Sequence, residues 1–97
     1  MSNADKVEKL RAKAAALHGA GQLDEAEKLY HRVLDLHRTD RAARYAIGVI
    51  RLQQDRAREA LNVLLPLAAE MPQDGDVLSQ CGRARAALGR ADEALAD

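Results

Sequence analysis

Three segments of this chain, GQLDEAEKLYHRVLDLHRTD, DRAREALNVLLPLAAEMPQD and GRADEALAD, align on a period of 34 residues. In that register Glu25, Glu59 and Glu93 coincide, as do Ala26, Ala60 and Ala94. Upstream, the small residues Ala14, Gly48 and Gly82 keep the same spacing, and Asp40 and Asp74 close two successive units. A fixed period of this length marks stacked supersecondary units, none of which can bury its apolar face alone. The architecture is therefore constrained before any single residue is weighed.

Each unit reads as two helices. In the second, Arg41–Gln54 carries Ile47, Val49 and Ile50 at helical spacing; Asp55–Arg56 break the pattern, and Ala57–Met71 follows. Pro72–Gly75 then supplies turn chemistry. The first unit places helices over Asp5–His18 and Leu23–Leu36, separated by Gly19–Gln22, with Leu23, Ala26, Leu29, Tyr30, Val33 and Leu34 on one apolar face. The third predicts a helix over Gly75–Leu88 and a short one over Ala91–Asp97, the unit stopping inside its second helix. No stretch alternates with period two, so the expected fold is all-α with six helices. A glycine inside a helix costs about 1 kcal/mol against alanine. Gly48 and Gly82 thus call for a packing reason, namely close approach of the two helices of a unit at their crossing.

Composition narrows the classes. Hydrophobic residues are 47% and charged residues 31% of the chain, a globular balance rather than a disordered one. Tyr30 and Tyr45 are the only aromatics, so Leu, Ala, Val and Ile must build the core. With 15 basic and 15 acidic residues the chain lacks the electrostatic footprint of a nucleic-acid binder. The longest apolar run, Val63–Ala69, is far too short to span a bilayer, so no membrane role is expected. The absence of a secretory signal and the single cysteine, Cys81, favour a cytoplasmic setting. Residues 1–6 read as a leader, with Ser2–Ala4 resembling a cloning remnant. Residues 7–97 form one domain of units 7–40, 41–74 and a truncated 75–97.

A 34-residue helix–turn–helix unit with a small residue in its eighth place and Ala in its twentieth resembles the tetratricopeptide repeat (TPR). The family's acidic residue before that Ala is matched by Glu25, Glu59 and Glu93. Its aromatic four residues later is Tyr30 in the first unit and Leu64 in the second, and its closing proline is Pro72 in the second and Arg38 in the first. Leu10 and Leu78 fit the family's early large residue and Arg44 does not; Lys13 stands where Ile47 and Cys81 fall. Leu17, Arg51 and Arg85 hold the eleventh place. The resemblance covers Val7–Asp97 and implies about two and a half repeats in a right-handed superhelical array. It also implies a concave face, lined by the first helices, that binds a peptide or partner helix. In that register the face comprises Arg11 and His18 from the first unit, Tyr45, Val49, Leu52 and Gln53 from the second, and Ser79 and Arg83 from the third. A clamp for chaperone tails is not implied, because only Arg11 among the corresponding positions has suitable chemistry.

Catalysis finds no support. His18, His31 and His37 lack metal-ligand spacing, and Cys81 falls where the family buries an apolar side chain. The DGD stretch at Asp74–Asp76 lacks the other ligands of a calcium loop, and no phosphate loop or nucleophilic triad occurs. No enzyme activity, cofactor or metal is expected. Pro66 lies inside a helical run, where the favoured reading is a tolerated kink on a solvent-facing stripe. The leading function is a protein-interaction module. Two other readings stand beside it. In one, the repeats precede a larger enzyme, as in bacterial glycosyltransferases with similar repeats. In the other, the chain self-assembles through its carboxy-terminal end, as a two-fold homodimer using Leu78, Leu88, Ala94 and Leu95.

Overall fold

A capping oxygen stands in front of each unit's first helix. The computed structural model describes residues 2–96, with side chains as far as Asp92. Ser2 Oγ accepts from the Asp5 amide at 3.2 Å and opens α1 (Asn3–Gly19). Asp40 Oδ1 accepts from the Ala43 amide at 2.8 Å ahead of α3 (Arg41–Gln53). Asp74 Oδ1 accepts from the Val77 amide at 3.0 Å ahead of α5 (Gly75–Ala96). The Asp40/Asp74 pair of the sequence register is therefore a pair of N-caps, each satisfying an amide that has no partner within the helix. The second helices, α2 (Leu23–Leu36) and α4 (Ala57–Glu70), begin without side-chain caps. They carry Asp24, Glu25 and Glu59 in their first turns, beside the positive end of the helix dipole.

The turns inside the first two units repeat as well. Gly21 has φ +79° and Asp55 φ +59°, both left-handed and 34 positions apart. Just beyond them the Gln22 amide reaches the Leu17 carbonyl at 2.9 Å and the Arg56 amide the Arg51 carbonyl at 2.8 Å. Gly89 is next in this series, and there the chain does not turn: α5 runs through it to Ala96. The described residues thus form five helices, correcting the six expected from sequence. Continuing a helix adds one hydrogen bond per residue fixed, and Ala91–Ala96 contains no strong breaker.

Consecutive helices pack on one another, and α3 also meets α5. One buried cluster joins Val7, Ala14, Ala26, Tyr30, Val33, Ala43, Ile47 and Ile50. A second joins Ala60, Leu64 and Cys81. Ala14, Ala26 and Ala60 have no exposed surface, as expected of small residues at a crossing. At Gly48 an added Cβ would lie 2.5 Å from Leu64 Cδ2, so the absence of a side chain is what lets α4 approach α3. At Gly82 nothing lies within 4 Å. The close-approach role expected for Gly82 is therefore not realised, because α5 continues straight where a helix matching α4 would return across it. Pro66 is exposed and α4 continues through it.

Two departures from the repeat pattern, Arg44 and Arg51, have partners. Arg44 gives a two-pronged pair to Glu70, with Nη1–Oε1 3.0 Å and Nη2–Oε2 2.5 Å. Arg51 reaches Glu27 at 3.7 Å and the Glu59 carbonyl at 3.4 Å. Glu27 also lies 3.7 Å from Arg56 and 3.5 Å from His31, tying α2 to the α3–α4 turn.

Candidate partner-binding face

The first helices α1, α3 and α5 are tied side by side by polar contacts. His18 Nε2 at the end of α1 donates to Gln53 Oε1 at the end of α3, at 2.6 Å. Gln80 Nε2 of α5 lies 3.5 Å from the Tyr45 hydroxyl of α3. Both pairs are separated by 35 residues, one repeat plus one position. Arg11 of α1 reaches Asp40, the cap of α3, with Nε–Oδ2 3.6 Å.

The residues assigned to this face divide by burial. Gln53, Ser79 and Arg83 are exposed. Arg11, His18, Tyr45, Val49 and Leu52 are half-buried. Tyr45 and Leu52 both pack on the Ala60, Leu64 and Cys81 cluster, so each serves the core and shows only an edge outward. What remains accessible is a short apolar centre at Tyr45, Val49 and Leu52, with His18 and Gln53 at one end and Ser79 and Arg83 beyond α3. Such a centre with a polar rim suits a protein or peptide surface, and Tyr and Arg are the residue types that most often anchor one. Gln80 is not among the residues that the repeat register assigns to this face; a polar residue at the repeat-plus-one offset from Tyr45 is the signal that identifies it.

Electrostatic perturbations lie away from this face. The Arg44 hydrogen bonds hold the Glu70 carboxyl below its ordinary value, against a smaller desolvation effect, and raise Arg44 in turn. Burial pushes the Tyr30 phenol up, partly countered by the Arg11 guanidinium. Cys81 is a free thiol at 2% exposure within the core. Among the described residues no group of three His, Cys, Asp or Glu side chains could hold a metal ion, and no helix is long and apolar enough to cross a membrane.

Of the residues expected to serve self-association, Leu78 and Leu88 have described side chains. Leu78 is 46% exposed on α5. Leu88 is half-buried and lines a cleft of about 540 Å³ with Leu52, Ala57 and Ala91. The side chains of Ala94 and Leu95 lie outside the described residues.

Compared with known families, residues 17–79 match a family model described as tetratricopeptide repeat. That span takes in α2, α3, α4 and the turns between them. Comparison with curated proteins and with solved structures returns no match.

Proposed function

The chain belongs to the tetratricopeptide repeat family, and we propose that it acts as a non-enzymatic scaffold that binds a peptide or partner helix along the face made by α1, α3 and α5. Repeats of this family generally mediate protein–protein interaction. The observation that carries the proposal is the side-by-side fastening of these helices through His18–Gln53 and Gln80–Tyr45. These pairs link α3 to its two neighbours, so Tyr45 and Val49 of α3 stand beside Arg83 of α5 for one partner to span. Arg83→Glu, at an exposed side chain, should weaken binding of a partner captured by the intact chain by more than about 1 kcal/mol with helix content unchanged, and Tyr45→Ala should weaken it similarly, its loss of core packing being read separately from the denaturation midpoint. Lys28→Ala, on the exposed surface of α2, should change it little. Full affinity in both face variants would place the site elsewhere.

A second reading is self-association through α5. It is favoured by Leu78, 46% exposed, standing one turn before the uncovered Gly82. Exposed apolar surface of this kind marks contact sites, and an identical patch closes most simply as a two-fold pair. Sedimentation equilibrium over a wide concentration range should then show a dimer that Leu78→Glu abolishes. A constant 10.6 kDa species excludes it.

A further inference from the structure

We infer that the cleft where the starts of α1 and α3 meet the end of α2 is a second docking site, sharing Arg11 with the binding face and taking an extended partner segment with an aliphatic residue flanked by Asp or Glu. The inference rests on the interaction-module reading but uses the edge of the array rather than the centre of the binding face. The cleft is open to solvent, with a volume of about 560 Å³. Val7, Leu36 and Ala42 supply apolar wall, and Arg11 and Arg41 supply guanidinium donors. Leu36 is 38% exposed at its edge.

The charge of the cleft is one-sided. Asp40 is its one lining carboxylate among the described residues, and both of its oxygens are engaged. Oδ1 caps Ala43 at 2.8 Å, while Oδ2 meets His37 Nδ1 at 3.2 Å and Arg11 Nε at 3.6 Å. The carboxylate nearest Arg41 is Glu70 at 3.8 Å, already taken by the two prongs of Arg44. Cationic donors therefore exceed the carboxylate capacity at the rim, and an acidic segment is the complement.

The same place one unit later shows that this is no general consequence of the fold. Thirty-four residues on, Tyr45 replaces Arg11, Met71 replaces His37 and Asp76 replaces Ala42. The corresponding cleft is about 190 Å³ and has gained a carboxylate. The size and sign of the first cleft thus belong to its own side chains. Arg11 stands on α1 and Arg41 on α3, with the apolar strip among the same lining residues. A segment with a carboxylate on each side of an aliphatic residue offers a partner to each guanidinium and an apolar contact to the strip, whereas a terminal Asn-Leu offers one carboxylate for the two cations.

The probe is the tripeptide acetyl-Asp-Leu-Glu-amide, titrated into the isotopically labelled full chain and followed by amide chemical shifts. Saturable shifts should centre on Val7, Leu36 and Ala42, with an affinity about fivefold or more above that of acetyl-Asn-Leu-Gln-amide. Arg41→Gln, at an exposed side chain, should reduce the affinity, and Lys28→Ala should not. Absence of saturable shifts in the cleft, equal binding of the neutral tripeptide, or a preference for acetyl-Asn-Leu with a free carboxylate overturns the proposal. Failure of Tyr45→Ala to weaken a face-bound partner is a different result, read with a different ligand, and bears on the other site.

Discussion

Gly48 and Leu64 share a space that has room for one side chain: a Cβ on Gly48 would stand 2.6 Å from Leu64 Cγ as well as 2.5 Å from Cδ2. Because Cγ is close to the Leu64 backbone, rotation of the methyls alone cannot relieve the clash. Gly48→Ala should therefore destabilise the fold by about 1–3 kcal/mol through overpacking, despite the better helix propensity of alanine. Gly82→Ala has open space and should stabilise by up to about 1 kcal/mol. Urea denaturation of the two variants checks the opposite signs; equal losses would show that α5 is covered as α3 is.

Asp40 and Asp74 occupy the same repeat position but do not carry the same load. Asp74→Ala removes a cap and should cost about 1 kcal/mol. Asp40 is 5% exposed and also faces Arg11 and His37, so Asp40→Ala should cost about 2 kcal/mol or more. Asp40→Asn keeps an acceptor for Ala43 while losing the charge, and should fall between them. The ranking is read from denaturation midpoints at neutral pH.

Glu70 makes a prediction about acid. Its folded pKa is lowered from 4.5, chiefly by the hydrogen bonds from Arg44. A depressed carboxyl contributes stability that is present above the unfolded value and lost as pH falls through the folded one. The stability of the natural chain should therefore fall on acidification below about pH 4.5 by more than that of Glu70→Gln, and the two curves should converge at low pH. Carboxyl chemical shifts locate the Glu70 midpoint directly; a midpoint at or above its ordinary value contradicts the pairing.

Much of the fold was legible because it depends on local chemistry repeated at one interval. The boundaries of α2, α3 and α4 followed to within one residue from Gly21, Asp55, Pro72 and the apolar faces between them, while α1 starts at Asn3, behind the Ser2 hydroxyl, and ends at Gly19 rather than His18. Gly89 could not be read this way. It sits in the register of Gly21 and Asp55, yet whether a chain turns there depends on what the returning arm can bury, and that is a tertiary quantity. The same holds for Gly82, whose packing role needs the missing return. Arg44 and Arg51 looked like misfits at apolar positions because Glu70 and Glu27 are distant in sequence, Glu70 by 26 residues. For the binding face, the repeat register nominated His18, Gln53 and Tyr45, but not that they would be tied in pairs across adjacent units, nor that Gln80 completes one of them.

The pattern of neighbour-on-neighbour packing, with α3–α5 as a short-range addition, also governs how the molecule forms and opens. Contacts that close short stretches of chain carry little loop entropy, so this topology belongs to the rapid end of folding rates. It also divides the interior, since the Val33–Ile47 region and the Ala60–Leu64–Cys81 region are separate clusters joined through α3 and α4. Amide exchange should accordingly be slowest around Ile47, Ile50 and Leu64 and quicken toward both ends, with α5 able to open while α1–α3 stay closed. A partner gripping α3 and α5 together would close that gradient, so binding would register as slowed exchange well beyond the residues it touches.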